Sequence, residues 1–167
     1  STAPAQIEGG LSVSEPGRPT VYLHVGAPKT GTTYLQQVVF QNRAALRQNG
    51  LLYPGGSTRA HFLASQDLRG WRFQGYEDPR MAGAWNRLVA QALEWDGRTL
   101  ISHESFGSAN KAHIDRAMED LSFADVHVVV TARDMARQLP AAWQERVRNR
   151  STVTFAEFLA EIRRQPL

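Results

Sequence analysis

Apolar and polar positions change period several times along this chain. Residues 20–25, "TVYLHV", are β-branched and aromatic, with Gly-Arg-Pro before them and glycine after, which predicts a strand. From Thr32 the spacing becomes helical: Leu35, Val38, Val39, Ala45 and Leu46 recur at three and four residues, and Gly50 can cap the end. "LLYPGG" predicts a turn, and residues 57–79 read as loop-rich, with a short helix near 61–68. "PRMAGAWNRLVAQALEW" predicts a helix with proline in its first turn and Met81, Trp85, Leu88, Val89 and Leu93 on its apolar face. "RTLISHES" is a second strand, and "ANKAHIDRAMEDL" a short helix. "ADVHVVVTA" is a near-continuous apolar run of the kind buried inside a parallel sheet. A helix is expected over 134–148, then a last amphipathic helix, "TVTFAEFLAEIRRQ", capped by Thr152 or Thr154.

Strands alternating with helices predict an α/β fold, a parallel β-sheet flanked by helices and joined by crossovers. Ligands in such folds bind at the carboxyl ends of the strands. Three places follow: the residues after Val25, after Ser102 and after Thr131. The length of 167 residues suits one domain. Residues 1–19 are polar and rich in Gly, Pro and Ser, and are expected to form a flexible tail before a domain over 20–167. That N-terminus has neither the basic nor the apolar region of a signal peptide, and no apolar run approaches the roughly 18–20 residues of a membrane span. A cytoplasmic location is the expectation.

Composition narrows the chemistry. There is no cysteine, which excludes disulfides, thiolate catalysis and Cys-ligated zinc. The net charge is +3, and basic residues do not alternate with aromatics as in a nucleic-acid surface, so no nucleic-acid partner is expected. Of the 19 basic residues, 17 are arginine; the two lysines are Lys29 and Lys111. Lysine is a compact point charge and arginine a planar fork, so a lysine retained in a glycine-rich loop draws notice.

That loop is "HVGAPKTGTTYLQ". A strand, then Gly26-x-x-x-x-Gly31, then a helix is the geometry of a phosphate cradle. Glycines let backbone N–H groups turn inward, the helix adds its positive end, and Thr30, Thr32 and Thr33 add hydroxyl donors. The NTPase loop G-x-x-x-x-G-K-[ST] is not matched, because Thr32 stands where its lysine belongs and Lys29 comes three positions earlier.

"GAPKTGTTYL" resembles the 5′-phosphosulfate loop of sulfotransferases that use 3′-phosphoadenosine 5′-phosphosulfate (PAPS). Pro28 to Leu35 match every position of the pattern P-K-[ST]-G-T-[ST]-x-L. The resemblance implies a P-loop-NTPase-like sulfotransferase core with PAPS as co-substrate and no metal. It also implies that Lys29, Thr30, Gly31, Thr32 and Thr33 hold the 5′-phosphate, and that Lys29 stabilises charge on the leaving group. "VHVVVTARDMARQLPAAWQE" resembles the family's 3′-phosphate signature, with Arg133 as the phosphate-binding arginine. The expected serine eight residues later is Ala141, for which Arg137 or Gln138 could compensate.

An acceptor hydroxyl must lose a proton, so a general base is expected nearby. His103 is the first candidate by resemblance to a Lys-Thr-His run of cytosolic members, Glu104 the second, and His61 the third, on the substrate side. His24 and His127 fall within strands and His113 on a surface helix, and all three read as structural. Arg146, Arg148 and Arg150 read as partners of a helix C-terminus. The resemblance covers about residues 20–144, and nothing after Ser151 looks like the family's C-terminal Gly-rich basic segment. "GLLYPGG" and "ARQLPAAWQE" resemble bacterial sulfotransferase-like proteins in style. The expected activity is sulfonyl transfer from PAPS to a hydroxyl of a carbohydrate, lipid or small metabolite. The alternatives are a P-loop kinase or NTPase using ATP and Mg²⁺, or a non-catalytic nucleotide-binding relative.

Overall fold

The structure is a computed structural model, and it describes residues 17–26, 30–70 and 78–164. Most of the expected tail, and also Lys29, lie outside the described residues.

Four strands form one all-parallel sheet in the order β2-β3-β1-β4. They are β1 (Thr20–Gly26), β2 (Leu51–Leu52), β3 (Arg98–Ser102) and β4 (Asp125–Thr131). The α/β expectation with a helix-flanked parallel sheet therefore holds. β1 is central and pairs with β3 (Leu23 opposite Ile101) and with β4 (Leu23 opposite Val128). Between the strands run α1 (Thr32–Gln41), α2 (Arg43–Gln48), α3 (Ala60–Arg69), α4 (Ala84–Leu93) and α5 (Lys111–Asp120). After β4 come α6 (Met135–Arg148) and α7 (Phe155–Arg164).

The core lies on one face of the sheet. Alternation in the strands turns Val21, Leu23 and Ile101 to that side, where they meet Leu63, Leu68, Trp85, Leu88, Phe106 and Leu121. Asp67 joins α3 to α4, accepting hydrogen bonds from Gly83 N (3.3 Å) and Trp85 N (3.0 Å). This cap explains why α4 begins at Ala84 rather than near Pro79: Gly83 is left-handed, with φ +69, and the cap closes on the N–H groups that follow.

Three other expectations need correction. "LLYPGG" is not only a turn, because Leu51 and Leu52 pair with Arg98 and Thr99 before Pro54 removes a donor. The single helix expected from Thr32 onward is two helices, broken at Asn42, whose side-chain amide donates to Val38 O (2.8 Å) and competes with the backbone ladder. The valine-rich β4 is not a buried interior strand. It lies outside β1 at the edge of the described sheet, with Val128 58%, Val129 41% and Val130 65% exposed.

The last two helices meet through Trp143, Phe155 and Phe158. Thr154 caps α7, accepting from Glu157 N, while Glu157 Oε2 accepts from Thr154 N. Arg146 pairs with Glu161 and Arg148 with Glu145, so these arginines are partnered by carboxylates.

Candidate functional site

The parallel register brings the carboxyl ends of β3, β1 and β4 side by side, at the same end of the sheet as Thr30 and the start of α1. Gly26 ends β1 in a crowded position: a Cβ there would lie 2.5 Å from Thr131 Oγ1 and 2.7 Å from Thr32 Cγ2, so a neighbour would have to shift. Gly31 starts α1 with φ +88, a conformation that favours glycine. Pro28 and Lys29 lie outside the described residues, so the role expected of Lys29 has no geometry here.

Glu104 anchors the helix side of the loop. Its Oε2 accepts from Thr32 Oγ1 (3.0 Å) and Gln36 Nε2 (3.1 Å). Thr32 and Gln36 are four residues apart on α1, so both reach one carboxylate from the same face. Burial raises the Glu104 pKa, but its own backbone N–H, His103, Gln36 and Thr32 outweigh that, and the net shift is downward. The group is therefore a carboxylate at neutral pH.

His103 sits directly after β3 and starts a 3-10 turn over Glu104–Ser108. Its Nδ1 accepts from Ser105 N (3.1 Å), so the neutral ring carries its hydrogen on Nε2, which lies 3.9 Å from Glu104 Oε2. Burial lowers its pKa and Glu104 partly offsets this. The expected first-choice base thus has its one lone pair engaged in a cap.

His61 is 2% exposed and stacks on Tyr53 with ring centroids 4.1 Å apart. Its Nε2 donates to Pro54 O (2.8 Å) and its Nδ1 accepts from Ser102 N (3.1 Å). Both nitrogens serve the main chain, and burial pushes its pKa down to about 4. This geometry assigns His61 to the scaffold of the site rather than to substrate.

On the other side, Thr30 Oγ1 lies 3.0 Å from Thr131 Oγ1, tying the loop to the end of β4. Arg133 follows two residues later, on the segment between β4 and α6. Arg137, in the first turn of α6, has its backbone N–H capped by Asp134 Oδ1 (3.0 Å) and its guanidinium 3.7 Å from Asp134 Oδ2. Ala141 lies within α6, where the resemblance led to a serine.

In the sequence His24 reads as a structural strand residue. It is 2% exposed, and its ring bridges Ser102 Oγ (2.7 Å from Nδ1) and Thr131 Oγ1 (3.1 Å from Nε2). Ser102, Thr131 and Gln36 are likewise site residues that sequence reading did not single out. The available signal was position: His24, Ser102 and Thr131 all fall at strand ends beside the loop, and Gln36 follows Thr32 by one helical turn.

Among the described residues no group of three or more His, Cys, Asp or Glu gathers as a metal ligand set. No described helix is long and apolar enough to cross a membrane. The class defined is an α/β domain with hydroxyl and carboxylate groups at the carboxyl edge of a parallel sheet. No family model, curated protein or solved structure matches this chain.

Proposed function

We propose that this chain is a PAPS-dependent sulfotransferase, with a P-loop-like sulfotransferase core, that moves a sulfonyl group to an acceptor hydroxyl of a carbohydrate, lipid or small metabolite. The observation that carries the reading is the Pro28–Leu35 pattern on the connection between the central strand and α1, beside a carboxylate anchored to Thr32. In the transfer, the acceptor oxygen attacks sulfur, the sulfur–oxygen bond to the 5′-phosphate breaks, and the acceptor proton passes to a base. Lys29 and the loop donors stabilise the charge gained by the departing phosphate. Arg133 holds the 3′-phosphate with its fork. Glu104 is the better base of the two neighbours: it is ionised, whereas accepting a proton on His103 Nδ1 breaks the Ser105 contact.

Thermal stabilisation by 3′,5′-adenosine bisphosphate, ADP and ATP with Mg²⁺ tests the reading in wild type and Lys29→Ala. The expected result is a raised melting point with the bisphosphate, lost in the variant. Stabilisation by ATP–Mg²⁺ alone rejects the proposal. One observation favours that second reading, a phosphoryl-transfer enzyme. A hydroxyl of the first helical turn and an acid just past a neighbouring strand are also the pair that holds Mg²⁺ in P-loop NTPases, as Thr32 and Glu104 could.

A further inference from the structure

A cavity of ≈ 250 Å³ opens beside β2, and none of the described residues that line it belongs to the site above. α2 supplies Arg43 and Arg47, the end of β2 supplies Leu52 and Tyr53, and Gly55 and Gln91 complete the wall. None of the described residues that line it is acidic.

Tyr53 is 6% exposed, and its ring stacks on His61. Its hydroxyl makes no hydrogen bond among the described residues, yet the oxygen is not sealed from solvent. Buried tyrosine hydroxyls usually find a partner, and the cavity that Tyr53 lines gives one access to it. Burial pushes its pKa up to about 12, so the hydroxyl stays protonated and able to donate.

The arginines decide the charge of that partner. Arg43 and Arg47 stand four residues apart on α2, hence on one face. Among the described residues neither has a carboxylate within 4.0 Å, whereas Arg80, Arg146 and Arg148 are each met by one. Aromatic rings hold them instead. The Arg43 guanidinium lies 4.2 Å from the Phe40 ring centroid and donates to Phe40 O (2.8 Å), and that of Arg47 lies 4.8 Å from the Trp95 ring centroid. Such stacking orients a planar cation without neutralising it, and leaves most of its N–H groups for another acceptor. Gln91 fixes a further part of the wall, accepting from Gly55 N (3.0 Å) and donating to Arg87 O (3.1 Å).

We propose that this cavity binds the oxyanion group (carboxylate, phosphate or sulfate) of a small molecule, with the Tyr53 hydroxyl donating to one oxygen and Arg43 and Arg47 neutralising the charge. The site is independent of the activity proposed above.

Nuclear magnetic resonance titration of the full-length chain with sodium sulfate, sodium phosphate and sodium acetate, at constant ionic strength, tests it. The Gly55 amide and the Tyr53 ring are the local readouts. The expected result is a saturable shift at both with at least one anion, and the anion that binds most tightly tells which group the cavity prefers. Tyr53→Phe keeps the ring and removes the hydroxyl, and Arg43→Gln and Arg47→Gln each remove one charge. All three are first shown to be folded by circular dichroism. Read at the Gly55 amide, each should weaken binding about tenfold. No saturable shift with any of the three anions overturns the site. Wild-type affinity in Tyr53→Phe overturns the part given to the hydroxyl. Wild-type affinity in both arginine variants reduces those side chains to packing on Phe40 and Trp95, and overturns the charge recognition.

Discussion

Thr32 donates its hydroxyl hydrogen to Glu104 at 3.0 Å, which joins the first turn of α1 to the second residue beyond β3. Gln36 reaches the same oxygen from one turn along, so the start of α1 is held by a carboxylate from a distant part of the chain. Glu104→Ala strands both donors in a partly buried place and should cost about 1–3 kcal/mol, read by urea unfolding. Glu104→Gln keeps an acceptor for Thr32 but not the charge. It should lose less stability while lowering the proposed sulfonyl transfer by about a hundredfold or more. Full activity in Glu104→Gln would remove this residue from the role of base.

Acid should destabilise the fold in two stages. The His61 pKa is pushed down to about 4 by burial, with the Pro54 contact opposing and His103 adding, whereas an unfolded histidine titrates near 6.5. Between those values the unfolded chain binds more protons, so stability falls as pH drops from 6.5 towards 4, by about 3 kcal/mol for this group once complete. His24 and His103 are shifted the same way by burial and add to the loss. Glu104 has a lowered pKa, so its contribution is present above about 4.5 and is lost as pH falls through its folded value. Melting curves from pH 8 to 4 should show the decline, and His61→Gln should flatten it while lowering stability at pH 7.

Gly26→Ala should damage the site through space alone. The new methyl group would meet Thr131 Oγ1 and Thr32 Cγ2 at 2.5 and 2.7 Å. Overpacking of this kind costs about 1–3 kcal/mol. Anion affinity should fall with it, since both displaced residues belong to the loop's supports. An unchanged melting point together with unchanged affinity would show that the loop has more room than this contact allows.

Asp67 offers a control away from the chemistry. It accepts from the Gly83 and Trp85 N–H groups at the start of α4. Asp67→Ala should cost about 1 kcal/mol, the usual worth of an N-cap, and leave ligand affinity per folded molecule intact.

The long strands and the glycine-rich connection were legible because strand alternation, glycine spacing and helical periodicity are local signals. The two-residue β2 was not, because its identity depends on pairing with Arg98 and Thr99, far along the chain. Nor was the edge position of β4: an apolar run states that a strand wants cover, and only the sheet order states whether it has neighbours on both sides. For the candidate site, motif and strand-end position pointed to Thr30, Thr32 and Glu104, which lie together at the carboxyl ends of the strands. The contacts of His24 with Ser102 and Thr131 stayed hidden, since a histidine and a serine within strands carry no mark of what lies across the sheet. Residue type and place make His103 and His61 candidate bases. Both ring nitrogens of His61 and Nδ1 of His103 are engaged by main-chain groups, which residue type does not reveal.

The central position of β1 also bears on how the chain acquires its structure. His24 finds its two partners 78 and 107 residues downstream. The first of the described strands in chain order is thus among the last to be satisfied, and in an all-parallel sheet no neighbouring strand can shelter it in the meantime by forming a hairpin. Contacts of such sequence separation slow folding and leave apolar strands exposed along the way. The clustering that assembles the loop's supports is therefore a late event. Refolding should recover helical signal well before it recovers the capacity to bind an anion.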